Sequence, residues 1–575
     1  MNHQSIERNH DISQPVSELH ENEQLKHKSH YLRGNISHGL EDRVSGSLSH
    51  DDTLLTKFHG IYQQDNRDTR QARQARKLEP HYQFMVRLRI PGGVLNTMQW
   101  NEIDRLSRFY ASSGIRITTR QTIQLHGISK WHLRPLLKRL RKIGIDTIAA
   151  CGDDSRGVVC GADPNISEVQ KQVYELAKAT SDRLTPKTSA YSEIWYEEKK
   201  TTPLQEEPIY GAMYLPRKFK VGYVIPPIND VDIFAQDVGF IAIVENNRLL
   251  GFNLCVGGGM GKLDSRSDSY PRLATEIGFI NYKDAPFLAE VIMAIQRDYG
   301  DRKDRHQARF KYTIDRLGLD CFKALLVKRF GKELAPARPY MFSHNGDRLG
   351  WHKSADNKWY ATLYIESGRV NFHLRDQLHA LFQQFSGSIR LTTNQNLQLT
   401  HIEDYEVKDV AHRLSDIGLE ARLAPLSQHA HTLSCVALPT CGLAMAEAER
   451  YAPLFLQTFE QLKAQYGLQD IPVNLRITGC PNGCARPYLA EVALTGRAPG
   501  LYNLYLGGSH RGDRLATLYQ SNLGEAEIID ALAPLFELFA AEKFRDEYFG
   551  DFLFRKQLIK VSSSNTRPSH IFQEL

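Results

Sequence analysis

Residues 116–128, RITTRQTIQLHGI, alternate apolar and polar side chains in the manner of a half-buried strand. Beyond them the apolar spacing lengthens to a helical period that ends near Gly144. The same progression returns at 390–402, RLTTNQNLQLTHI, and ends near Gly418. Aligned without a gap from 116–146 onto 390–420, eleven of 31 positions are identical at a constant offset of 274. Each copy follows another strand-like stretch, FMVRLRIPGG (84–93) or WYATLYIESG (359–368). Strand, helix, strand, helix predicts a compact α+β half-domain, present twice.

A second pair interleaves with the first. FNLCVGGG (252–259) resembles YNLYLGGS (502–509), and PRKFKVGYVIPP (216–227) stands where the later copy has PVNLRITGCPNG (472–483). The order is therefore A–B–A′–B′, an internal duplication that implies two halves about a pseudo-two-fold axis with an active centre between them. The expected boundaries are 56–150 for A, 151–345 for B, 346–425 for A′ and 426–575 for B′. Residues 1–55, rich in His, Ser, Asn, Glu and Asp, read as a flexible tail with local helix, suited to docking a partner.

At 575 residues the chain is too long for one core. Its 41% hydrophobic and 24% charged residues are an ordinary globular balance. A net charge of +6, from 72 Lys+Arg against 66 Asp+Glu, is too mild to call for nucleic acid. The polar N-terminus carries no apolar signal core, and no run of 18 apolar residues offers a membrane span. The expectation is a cytoplasmic chain whose eight cysteines stay as thiols.

Those cysteines divide into two sets. Cys151, Cys160, Cys255 and Cys321 stand alone and read as small core residues. Cys435 and Cys441 are separated by five residues, and Cys480 and Cys484 by three. Structural zinc sites use tighter pairs, commonly C-x2-C. GLAMAEAER (442–450) and ARPYLAEVAL (485–494), just past each pair, read as helices whose N-terminal amides would face the sulfurs. That donor set favours an iron–sulfur cluster over zinc. The Gly-rich GGGMGK (257–262) lacks both P-loop and GxGxxG spacing, so NADPH and flavin are expected on a separate protein.

CVALPTC…TGCPNGC, with the duplicated R-x-TT-x-Q-x-x-Q strands, resembles the sirohaem-dependent sulfite and nitrite reductases. HYLRGNI, FHGIYQQDNRD, KLEP and YLPRKFK narrow the resemblance to the haemoprotein (beta) subunits of bacterial NADPH-dependent assimilatory sulfite reductases. The resemblance implies ferredoxin-like half-domains and a [4Fe-4S] cluster on Cys435, Cys441, Cys480 and Cys484. It also implies a sirohaem whose axial ligand is Cys484, shared with the cluster. Arg87, Arg156, Lys218 and Lys220 fall at the family's sulfite-binding positions, and strand alternation would aim both lysines the same way. Gln64, Arg116, Arg120, Gln124, Arg309 and Asn482 fall at its cofactor-binding positions. The implied activity is six-electron reduction of sulfite to sulfide for cysteine biosynthesis, fed by an NADPH-dependent flavoprotein (alpha) subunit, with no nucleic acid and no membrane. Two departures stand out: arginine at 309 in place of the family's lysine, and GCARPY where the family has GCGR.

Overall fold

The computed structural model describes residues 15–198, 206–354, 357–424 and 431–560. Four five-stranded sheets carry the chain. The first half contributes β1 (Ile61–Asp65), β2 (Tyr82–Arg87), β3 (Val94–Asn96), β4 (Ile115–Ile117) and β5 (Ile123–Ile128). It continues with β6 (Val159–Cys160), β7 (Val221–Val224), β8 (Val238–Glu245), β9 (Arg248–Val256) and β10 (Thr275–Asn281). The second half supplies β11 (Gly350–Lys353), β12 (Trp359–Leu363), β13 (Arg369–Val370), β14 (Ser388–Leu391) and β15 (Leu397–Ile402). Then follow β16 (Thr432–Ser434), β17 (Leu475–Thr478), β18 (Val492–Ala498), β19 (Leu501–Leu506) and β20 (Thr517–Leu523).

The duplication expected from the repeats is visible as repeated topology. Two antiparallel sheets run β1-β2-β5-β4-β13 and β11-β12-β15-β14-β3. Each is completed by a strand from the other half: β13 pairs with β4 and β3 pairs with β14. The two remaining sheets share one pattern, three parallel strands followed by two antiparallel ones, as β6-β7-β8-β9-β10 and β16-β17-β18-β19-β20. A buried cluster containing Val224 and Ile241 from one and Ala493 and Tyr505 from the other joins them.

RITTRQTIQLHGI is a hairpin, not one strand: β4 and β5 flank a turn in which Gln121 takes a positive φ of 51°. The helices that follow, Leu133–Lys142 and Val407–Asp416, end before Gly144 and Gly418, both at positive φ. The boundary expected at 425/426 lies outside the described residues.

The flexible tail needs correction. Residues 1–14 are outside the described part, but α1 (Glu21–Lys28), α2 (Ile36–Glu41) and α3 (His50–Leu55) are built into the body. Leu25, Leu32, Ile36, Leu40, Leu48 and Leu55 belong to the same buried cluster as the first sheet's Phe84 and Val86. The apolar residues are too widely spaced for any one helix to show a long periodic stripe, so the polar composition masks them in the sequence. No helix among the described residues is long and apolar enough to cross a membrane.

Candidate active site

A cavity lies where the first antiparallel sheet meets both mixed sheets. Eight residues singled out from the sequence line it: Arg87, Arg120, Arg156, Lys218, Lys220, Arg309, Asn482 and Cys484. Its walls come from A, B and B′, so it lies between the two halves.

The cations are held by backbone and carboxylate partners that aim them inward. Arg87, at the end of β2, donates from Nη1 to the Ala150 carbonyl at 3.3 Å and to Cys151 Sγ at 3.1 Å. Arg156 folds onto its own loop, with Nη2 2.8 Å and Nε 3.1 Å from the Gly152 carbonyl. Arg120 bonds Gln236 Oε1 and the Gly157 carbonyl, each at 2.6 Å. Arg309 Nη2 lies 3.2 Å from both Asp237 carboxylate oxygens. The Nε atoms of Arg120 and Arg309 are buried without a hydrogen-bond partner. Such orphaned donors on a cavity wall suit an anionic guest.

Lys218 and Lys220 flank Phe219, which bridges to Ser155 just before β7. That spacing puts both ammonium groups on the cavity, as strand alternation predicted. Burial, with Arg309 and Arg217 nearby, pulls Lys218 down to about 7. Burial and Lys218 itself push Lys220 well below the ordinary lysine range. Two lysines crowded by arginines are poised to be relieved by negative charge and to give up protons readily.

Three sequence candidates stand behind the wall rather than on it. Gln124 pairs with Arg87 across β5 and β2; with its amide turned to suit its neighbours, the oxygen accepts from Arg87 Nη2 at 2.5 Å. Arg116 is committed to Glu449 at 2.8 Å and to the Ser434 carbonyl at 3.1 Å, the residue before Cys435. Gln64, on β1, has a buried Oε1 without a partner.

The cysteine loops adjoin. Cys435 N bonds the Ile477 carbonyl where β16 and β17 run parallel, and Gly479 N donates to Cys435 Sγ at 3.3 Å. Asn482 Nδ2 lies 3.6 Å from Cys480 Sγ. A Cβ on Gly479 would come within 2.5 Å of the Ala437 side chain, so the loops can approach only at glycine. Neither expected helix forms. Met445 N and Ala446 N both donate to the Gly479 carbonyl, diverting residues 442–450 from helical bonding. After Cys484 the chain makes only the single turn Pro487–Leu489 before β18. Loop amides therefore take the role assigned to helix ends.

Burial and the neighbouring thiols raise Cys435, Cys441 and Cys480, the last to about 11. These three thiols resist ionising until cations join them. Among the described residues no three His, Cys, Asp or Glu side chains converge tightly enough for a single metal ion. Of the four, only Cys484 lines the cavity. Of the isolated cysteines, Cys151, Cys160 and Cys255 are buried as expected, whereas Cys321 is exposed.

Residues 175–334 match the nitrite and sulphite reductase 4Fe-4S domain, and residues 76–143 and 352–417 each match the nitrite/sulfite reductase ferredoxin-like half domain. The chain is 49% identical over 561 residues to the sulfite reductase (NADPH) hemoprotein beta-component of Afipia carboxidovorans, covering 96% of each chain. The proteins of the same description from Anoxybacillus flavithermus and Nitrosomonas europaea are each 47% identical, over 95% and 96% of this chain and 96% of their own. The chain belongs to the nitrite and sulfite reductase family. The Mycobacterium tuberculosis NirA structure shares the fold, with a TM-score of 0.76 over 94% of this chain and 97% of that one at 23% identity. The matched half-domain segments cover most of both repeats read from the sequence.

Arg486, Thr119 and Gly261 are among the wall residues that the sequence did not single out. Arg486 and Thr119 line the cavity beside candidates that were named, within TGCPNGCAR and RITTR. Gly261 belongs to the Gly-rich GGGMGK loop, which was weighed only as a nucleotide motif. That loop packs on the cysteine turn instead, Lys262 N donating to the Pro481 carbonyl at 3.1 Å.

Proposed function

We propose that this chain is the sirohaem and [4Fe-4S] haemoprotein of an assimilatory sulfite reductase, reducing sulfite to sulfide with electrons passed from NADPH by a flavoprotein partner. The observation that carries the reading is the meeting of Cys484, of the four-thiol group, with Arg87, Arg156, Lys218 and Lys220 on one cavity wall. Cys435, Cys441, Cys480 and Cys484 would hold the cluster, and Cys484 would also ligate the sirohaem iron. Arg120, Arg309 and Asn482 face the space such a macrocycle needs, and Arg120 and Arg309 offer its carboxylates their free Nε donors. The bound groups supply the iron that takes the substrate sulfur and the route for single electrons.

The chain's own residues do the rest. Arg87 and Arg156 offer guanidinium forks to the sulfite oxygens. Lys218 and Lys220 hold the same anion and, with depressed proton affinity, hand over protons as S–O bonds break and oxygen leaves as water. Gln124 and Arg116 act one layer back: Gln124 orients Arg87, and Arg116 ties the first sheet to the Cys435 loop. All eight cysteines are unbridged, in keeping with a reducing, cytoplasmic setting. The test is anaerobic purification from cells that make sirohaem, with iron and sulfide analysis, visible absorption and sulfide production from sulfite. A colourless, zinc-loaded preparation rejects the reading.

A further inference from the structure

The N-terminal helix α1 buries two opposite charges, Glu23 and Lys26, each 2% exposed. Buried charges of this kind are costly unless their partners matter. Lys26 Nζ lies 2.5 Å from Glu23 Oε1, donates to the Leu215 carbonyl at 2.7 Å and stands 3.8 Å from Asp153 Oδ2. Glu23 also pairs with Arg302, whose Nη2 donates to the Tyr214 carbonyl at 2.6 Å. Leu215 lies three residues before Lys218, and Asp153 three before Arg156.

The two segments reached by Lys26 are zipped to each other. Leu215 N donates to the Asp153 carbonyl at 3.1 Å, Phe219 N to the Asp154 carbonyl at 2.9 Å and Arg156 N to the Phe219 carbonyl at 2.9 Å. Outside its single bridge the chain from Tyr214 to Lys220 is neither helix nor strand. Its path is set by these contacts. Lys26 thus sits directly behind the loops that carry Arg156, Lys218 and Lys220 to the cavity.

We propose that the buried Glu23–Lys26 pair is a positioning element for sulfite: it fixes the two cation-bearing loops from behind and makes the N-terminal segment part of anion recognition. This rests on the cavity being the sulfite site. Without the Lys26 ammonium, the Leu215 carbonyl loses its partner and Asp153 keeps only Arg305 and the more distant Arg217. Lys218 and Arg156 would then no longer converge on one anion, while the thiol side of the cavity, built from B′, keeps its own contacts.

The experiment uses the full chain with its cofactors and the Lys26→Met substitution, which keeps the stem and removes the charge. Equilibrium binding is followed by visible absorption with two probes: sulfite, which needs the cations, and carbon monoxide, a neutral haem ligand that does not. Sulfite affinity is expected to fall roughly tenfold, with KM rising and kcat falling as well, since the displaced Lys218 also delivers protons. Carbon monoxide affinity, cofactor content and circular dichroism stay as in the parent. Unchanged sulfite affinity, or equal weakening of both ligands, overturns the proposal. If Lys26→Met does not fold, Glu23→Gln decides: it leaves Lys26 in place without its carboxylate, and sulfite must weaken selectively there too. A parent protein that binds no sulfite would reject the functional reading instead.

Discussion

Thr119 and Cys484 are joined across the molecule by a hydrogen bond, and Arg486 adds a second one back to Thr119. Thr119 Oγ1 donates to the Cys484 carbonyl at 3.1 Å, and Arg486, two residues on, donates from Nη1 to the Thr119 carbonyl at 3.1 Å. Arg486 also reaches the Thr393 carbonyl at 3.2 Å and pairs with Asp232, which holds Arg476 at 2.7 Å. One guanidinium therefore joins A, A′, B and B′ beside the thiol on the cavity wall. Arg486→Met should leave Asp232 with one of its two arginines and cost about 3–5 kcal/mol. It should also weaken the magnetic coupling of haem and cluster. Thr119→Val, which removes a single neutral bond, should cost about 1 kcal/mol. Chemical denaturation and electron paramagnetic resonance separate the two.

Cys484→Ser and Cys321→Ser should differ in kind. Cys484 lines the cavity, and in the proposed site its sulfur serves two irons; serine is a harder, less readily ionised ligand. The expected result is loss of the cofactor pair or of its coupling. Cys321 is exposed, so its replacement should change stability by less than about 0.5 kcal/mol. Visible absorption of anaerobically prepared proteins makes the comparison. A Cys484→Ser protein with haem and cluster still coupled would move the shared ligand to another cysteine.

The repeats could be read from the sequence because they rest on local pattern, and eight residues of the cavity wall through the family resemblance. Alternation around Lys218 and Lys220 survives in the fold since Phe219 keeps its bridge, and Gly144 and Gly418 end their helices as glycine permits. What could not be read depends on partners distant in sequence. Residues 442–450 have good helix formers, but the Gly479 carbonyl captures their amides. Arg116 looks like a ligand arginine until Glu449 is seen beside it. The polar N-terminal segment hides widely spaced apolar residues that only the assembled core brings together.

Lys218 gives the site a pH dependence. Burial, Arg309 and Arg217 bring it to about 7, so without an anion it is part-charged near neutrality. An anion favours the ammonium form, so binding draws on a charge that is present below pH 7 and lost as pH rises above it. The advantage of the parent over Lys218→Met in sulfite affinity should therefore shrink as pH rises, by up to about tenfold per unit. Taking the ratio of the two proteins at each pH cancels the titration of sulfite itself. A ratio that stays flat between about pH 6 and 8 would mean that Lys218 does not titrate there.

The exchange of β3 and β13 between the halves depends on two glycines. Gly93 precedes β3 at φ 75°, where a Cβ would lie 2.4 Å from the Leu391 carbonyl oxygen of β14. Gly368 precedes β13 at φ 70°, where a Cβ would lie 2.1 Å from the Ile117 carbonyl oxygen of β4. In both cases the obstacle is backbone of the sheet the strand is about to join, so it cannot rotate aside. Gly144 is the control, at φ 71° with nothing within 4 Å of a built Cβ. Gly144→Ala should cost only the left-handed penalty, about 1–2 kcal/mol. Gly93→Ala and Gly368→Ala add a backbone clash to the same penalty and should cost well beyond it, about 4 kcal/mol or more. Because each swapped strand closes the other half's sheet, either substitution should loosen both antiparallel sheets together. Hydrogen exchange should then show lost protection in β4 and in β14 from a single change. Protection lost on one side alone would mean that the two halves fold as separate units despite the exchange.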